Sequence, residues 1–316
     1  APARLSQTQL DELCGHYEVA DVLPLTPLQQ GLLFHASTAA EGLGGDDVYA
    51  VQLEVTISGG LDVARLRDAV HTVVGRHPNL VARFCAQYDE PVQVILADPG
   101  MPWRYLELDG AAADLEEQVA AVCADERAAV ADLAGAPAFR AAVIRTGPDR
   151  HRFVLTNHHI VMDGWSQPIL LGEIIAGYYG QRLPAPAPYR SFVAWLAERD
   201  LDAARAAWAQ VLAGFDTPTL VAASGRSGEG RRAVAPYQMP AHTTGALAEL
   251  ARSRHTTLST VLQAAWAVLL ASMTGQQDVA FGTAVSGRPV EVVGAESMVG
   301  LLINTVPVRA TLTAAT

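Results

Sequence analysis

The chain has 316 residues, 22 basic and 33 acidic, for a formal net charge of -11. Half of the residues are hydrophobic and 17% are charged, a globular balance in a chain long enough for two lobes. The acidic excess argues against a nucleic-acid backbone binder, and the complete absence of lysine excludes both a Schiff-base lysine and a phosphate-gripping P-loop, so no ATP-driven step is expected.

The elements follow in order. A short helix is expected near Gln7–His16, after a polar lead-in. Thr26 can cap a helix whose first residue is Pro27, with Leu28, Leu32 and Leu33 on one face and Gln29 and Gln30 beside it. Glu41–Asp47 reads as a Gly- and Asp-rich loop. Val51, Leu53, Val55 and Ile57 alternate as one face of a strand, and Leu66, Val70, Val73 and Val74 mark the inner face of a helix. Val92–Ala97 and Trp103–Leu108 read as strands, and 111–133 as a long alanine-rich helix. Phe139–Arg145 and His151–Asn157 flank the turn Gly147-Pro148-Asp149, which predicts an antiparallel hairpin. A helical pattern then runs to about Gly180.

Alternating proline in Leu183–Pro188 is stiff and extended, so the chain is divided here into a first lobe (1–182), a connection (183–190) and a second lobe (191–316). In the second lobe Ser191–Gly214 reads as helical, with Trp195 and Trp208 as core aromatics. Ser224–Arg232 reads as a loop, Thr243–Arg252 and Leu258–Met273 as helices, and Asp278–Val285 and Leu302–Leu312 as strands. Mixed strands and helices in both parts give an α/β (α+β) class.

Cys14, Cys85 and Cys123 are scattered without metal-ligand spacing, and apolar neighbours predict buried, reduced thiols, as in a cytoplasmic protein. No basic-then-apolar leader opens the sequence, and its most apolar helix is shorter than the ~20 residues a bilayer span requires.

The chemistry concentrates in Thr156-Asn157-His158-His159-Ile160-Val161-Met162-Asp163-Gly164-Trp165-Ser166, on the passage from an apolar strand into a helix. Strand ends are where polar groups converge on clefts. Neighbouring side chains of an extended segment point oppositely, so one histidine of the pair faces any given cleft. On residues alone, a solvated strand end fits equally well. A metal site does not fit, because the pair lacks the i, i+4 spacing of a helical zinc motif.

His158–Gly164 matches HHxxxDG and resembles the condensation domains of nonribosomal peptide synthetases, within the superfamily that looks like chloramphenicol acetyltransferase. Three more segments carry the resemblance in the same order: Pro24–His35, Phe281–Pro289 (FGTAVSGRP) and Val299–Arg309. Arg76–Phe84 resembles a further motif but has Val81 where the family has arginine, with Arg83 two residues on. The resemblance implies two similar lobes in a V, with the second incomplete because relatives continue well past Arg309. It implies amide formation between a donor peptidyl thioester and an acceptor aminoacyl thioester, each delivered by a carrier protein. The carriers supply phosphopantetheine, and the domain needs no cofactor of its own. Neighbouring synthetase domains are the other expected partners, and no nucleic acid or membrane is expected.

In that frame His159 is the expected catalytic group beside the attacking nitrogen, with His158 structural. Asp163 is expected to hold the loop by pairing with Arg288, or failing that with Arg83. Gly164 is expected to let the backbone turn closely, with its N–H toward a developing oxyanion. Trp165 and Ser166 open the next helix, Ser166 as a channel residue. Gln29 is placed near the channel, and Asn304 is a further polar candidate. Alternatives within the superfamily are ester formation, epimerization and a non-catalytic recruitment role.

Overall fold

The computed structural model describes residues 3–38, 48–98, 100–221 and 235–313. The loops expected at 41–47 and 224–232 lie outside them. The chain divides into two compact units, Ala1–Arg199 with Ser286–Asn304, and Asp200–Val285 with Thr305–Thr316.

This differs from the division expected at 183–190. The proline run is laid onto the first unit, where Arg76 donates to the Pro184 carbonyl at 2.6 Å. The following helix belongs there too: Tyr189, Phe192 and Val193 are buried in the same core as Leu301 and Leu302. Proline stiffness marks an extended segment, but burial of the aromatic residues after it decides which unit it joins.

The first unit contains α1 (Gln7–His16), β1 (Val19–Pro24), α2 (Pro27–Thr38), β2 (Ala50–Ser58), α3 (Val63–Arg76), β3 (Arg83–Cys85), β4 (Val92–Leu96) and β5 (Trp103–Glu107). It continues with α4 (Leu115–Ala128), β6 (Phe139–Gly147), β7 (Arg150–His158), α5 (Ser166–Tyr178) and α6 (Tyr189–Ala197). One sheet has the order β1-β4-β3 and the other β2-β7-β6-β5. The β6–β7 hairpin is antiparallel, and β5 pairs parallel with β6 across the α4 connection.

Alternation explains why β6 and β7 read as continuous apolar runs. Ala141, Val143, Phe153 and Leu155 belong to the main core with α3 and α5. Ala142, Ile144 and Val154 belong instead to a second cluster with Val119, Val122 and Cys123 of α4. A sheet covered on both faces needs apolar residues at every position. A third cluster joins Leu13 of α1 to Val22, Cys85, Val92 and Val94. Cys85 and Cys123 are buried, and burial pushes both thiols up from their usual value. Cys14 is exposed, contrary to expectation, because it sits on the outer side of α1 while Leu13 packs inward.

The second unit contains α7 (Leu201–Val211), α8 (Ala241–Ser253), α9 (Leu258–Thr274) and the two-stranded sheet β8 (Asp278–Val285) and β9 (Asn304–Thr311). The helix expected over 191–214 is thus two, broken where Asp200 caps α7 through the N–H groups of Asp202 and Ala203. Trp208 on α7 is 38% exposed rather than a core residue. Arg309 organises this unit: its guanidinium pairs with Asp278 at 2.7 Å and donates to the carbonyls of Val211 and Ala213. Among the described residues no single helix is long and apolar enough to cross a membrane.

Candidate active site

β7 delivers Thr156, Asn157 and His158 in buried succession, and the chain then leaves the strand in a 3-10 turn, His159–Val161. His158 is fully buried and its Nδ1 accepts the Ile160 N–H at 3.0 Å. That acceptor role makes its neutral ring the Nε2-protonated tautomer. His158 therefore caps the turn that carries its neighbour.

His159 is pinned through its backbone, its N–H donating to the Tyr49 carbonyl at 2.8 Å and its carbonyl accepting from Met162. The His159 ring is half-buried, and its Nδ1 is buried with no hydrogen-bond partner among the described residues. So the two histidines are differently placed: His158 is fully buried with its Nδ1 committed to the backbone, and the His159 ring is only half-buried.

Asp163 is 2% exposed, and its carboxylate is saturated. Oδ1 accepts from the Ser166 N–H at 2.9 Å, the Ser166 hydroxyl at 2.7 Å and Arg288 at 3.1 Å. Oδ2 accepts the N–H groups of Leu302 and Ile303 at 3.0 and 3.2 Å. Five donors exhaust a carboxylate's roughly four lone-pair sites, which leaves it nothing for proton transfer. Arg288, not Arg83, is the partner. Its guanidinium also donates to the carbonyls of Ala295 and Met298 and lies 5.4 Å from the Trp165 ring centroid. The pair is almost completely withdrawn from solvent, with side chains 1% and 0% exposed.

Two glycines of the later motifs are required by this closeness. Gly287 has φ +61, and a Cβ there would lie 1.7 Å from the Leu302 carbonyl oxygen. A Cβ on Gly300 would lie 2.3 Å from the Tyr189 ring, whose hydroxyl donates to Leu301.

Several expected placements are corrected. Ser166 is not a channel residue: it is 0% exposed, with its hydroxyl among Asp163, Gly300 and Arg288. Gly164 is exposed and not left-handed, and among the described residues a Cβ there would meet nothing within 4 Å beyond its chain neighbours, so the turn does not need glycine. Trp165 is half-exposed and donates its indole N–H to the Glu296 carbonyl at 3.1 Å.

Arg83 lies on β3 opposite Val94. Burial holds its guanidinium below the usual value against the opposing influence of Tyr17 and Asp132, and its NH1 is buried without a hydrogen-bond partner among the described residues. Val81, where the family has arginine, is 1% exposed in the main core. Asn304 opens β9 and is partly exposed. Gln29 is 1% exposed, and its Nε2 donates to the Ile160 carbonyl at 3.0 Å.

Two residues escaped the sequence reading. Gln93, 1% exposed, donates to Gln29 and to the Pro24 carbonyl. An amide inside the apolar run Val92–Leu96 was the available signal. Glu173 on α5 accepts from both Arg76 and His77. It stood among apolar helix residues, and nothing in its spacing pointed to α3. Among the described residues no cluster of three or more His, Cys, Asp or Glu could hold a metal ion.

Against known proteins, the family model for the condensation domain matches residues 19–316. The chain belongs to the condensation-domain family. Chondramide synthase cmdD of Chondromyces crocatus is 35% identical over 96% of this chain, which spans 9% of that protein. Bacitracin synthase 3 of Bacillus licheniformis is also 35% identical over 96% of the chain, here 5% of its length. The first condensation domain of the calcium-dependent antibiotic synthetase, solved with a substrate analogue, aligns at TM-score 0.66 and 24% identity, covering 93% of this chain and 71% of that one. A chain described as holo T3CT aligns at TM-score 0.74 and 22% identity, covering 99% and 69%. These structural likenesses carry the fold of the condensation domain.

Proposed function

We propose that this condensation domain forms an amide bond within a nonribosomal peptide synthetase, with His159 as its catalytic group. The amine of an acceptor aminoacyl thioester attacks the carbonyl of a donor peptidyl thioester. A C–N bond forms, the C–S bond breaks, and one proton passes from nitrogen to the departing thiol. An α-amino group titrates near ~8, so part of it is already neutral at physiological pH. What the protein supplies is alignment, worth roughly 7–11 kcal/mol when the geometry is good, and a carrier for that proton.

One observation supports this reading above the others. Of the polar side chains in the HHxxxDG motif, Asp163 is saturated and His158 is fully buried with its Nδ1 committed to the turn, while the His159 ring is only half-buried. Direct attack by the amine needs no acyl-enzyme, and therefore no serine or cysteine nucleophile. Donor and acceptor carrier proteins bring the phosphopantetheine arms, in the cytoplasm.

The test is amide formation by the full-length protein from loaded donor and acceptor carriers. His159→Ala is expected to lower the rate by ~10²–10⁴-fold, with the protein still folded. Product formation indifferent to His159 refutes the assignment, and a racemised donor without amide product indicates epimerization instead.

A further inference from the structure

We infer that Gln29 and Gln93 form an amide clamp that positions the His159 turn, a role that rests on the amide-forming reading above. Thr26-x-x-Gln29 is a capping box at the start of α2. The Thr26 hydroxyl accepts the Gln29 N–H at 3.3 Å, and Gln29 Oε1 accepts the Thr26 N–H at 2.9 Å. A glutamate would satisfy that box equally well.

What a glutamate lacks is the second half of the amide. With Oε1 held by a backbone donor, Gln29 must present Nε2 to the Ile160 carbonyl, 131 residues away in sequence. Ile160 directly follows His159, and its own N–H is held by His158. Both backbone polar groups of Ile160 are therefore fixed by side chains, which leaves the turn no freedom to rotate its peptide planes.

Gln93 fixes the polarity from the other side. Its Nε2 donates to Gln29 Oε1 at 3.1 Å and to the Pro24 carbonyl at 3.0 Å. Turning either amide over would set oxygen against oxygen. Among the described residues Gln93 Oε1 is itself buried without a partner, a cost accepted in this orientation. The clamp thus joins α2, β4 and the end of β7 at the residue beside the catalytic imidazole. Gln29 and Gln93 touch no reacting atom and are positioning residues.

Gln29→Glu in the full-length protein separates the two uses of the side chain, since it preserves the cap and removes the donor. The expected result is a fall in kcat on the order of 10–100-fold, the scale of a misplacement near 1 Å, with KM for both loaded carriers unchanged. A second readout is the rate at which diethyl pyrocarbonate modifies His159, read by peptide mass spectrometry against exposed His16. This ratio is expected to shift in the variant.

Should Gln29→Glu fail to fold, Gln93→Met carries the test. It leaves Gln29 held by Thr26 and is expected to give the same signature with a smaller fall in kcat. Unchanged kcat, a fall shared equally by KM, or an unmoved His159 modification ratio overturns the inference. His159→Ala runs alongside: if it leaves amide formation intact the amide-forming reading fails, whereas its loss with a silent Gln29→Glu sinks the clamp alone.

Discussion

Two ionic clusters of the first unit differ in what surrounds them. Behind the histidine turn, Asp163 and Arg288 are sealed, and the donors around them are mostly backbone N–H groups and one hydroxyl. Between α3 and α5, Arg76 and His77 share Glu173, with Arg76 and Glu173 side chains 16% and 14% exposed. The first cluster pairs a carboxylate with a guanidinium and contains no imidazole. The second contains an imidazole and responds to pH. A site that needs a fixed turn is better backed by the first kind, because every lone pair there is already used.

Arg288→Met should cost the fold most. Removing one partner of a sealed pair strands a buried charge, which typically costs ~3–5 kcal/mol. Urea unfolding should show that loss for Arg288→Met, and a less-than-additive one for Asp163→Asn combined with it.

Acidification should instead act through the second cluster. Burial holds His77 below its usual 6.5, against the raising influence of Glu173, so the unfolded chain takes up this proton first. Burial pushes Glu173 up, but Arg76 and His77 outweigh it and hold the carboxyl below its usual 4.5. Both signs agree: the unfolded state binds more protons as pH falls, so stability is full above about 6.5 and declines below it. The urea midpoint should drop between pH 7 and pH 5, and His77→Gln should flatten that part of the profile.

The smallest expected effect is on stability at Gly164→Ala, within about 0.5 kcal/mol, since the new methyl meets no protein atom. If amide formation falls while the unfolding midpoint holds, the open side of Gly164 is needed by a substrate and not by the fold. Unchanged activity would make that glycine dispensable.

How much of this was legible beforehand divides along the same line. Helices α1, α3, α8 and α9 and the β6–β7 hairpin follow from apolar spacing and turn residues, which are local signals. β1 was missed, because a six-residue strand ending at a proline shows little alternation until β4 pairs with it. The helix expected over 191–214 splits because a cap at Asp200 competes with continued periodicity.

The histidine motif and its strand-end position were readable, as was Arg288 as the first partner for Asp163. The burial of Ser166, the open face of Gly164 and the roles of Gln29 and Gln93 were not. Each depends on which distant backbone group comes within hydrogen-bond reach, and separations of 131 and 134 residues leave no mark on local spacing.

By itself, then, the amino-acid order determined most element types, the strand-end position of the histidine motif and the family resemblance, because periodicity, caps and motif residues act over a few positions. Only the tertiary structure decided that residues 286–304 return to the first unit and that the motif's acid is consumed in holding them there. Burial and long-range hydrogen bonding are satisfied by whatever the fold brings near, and that choice is made in three dimensions.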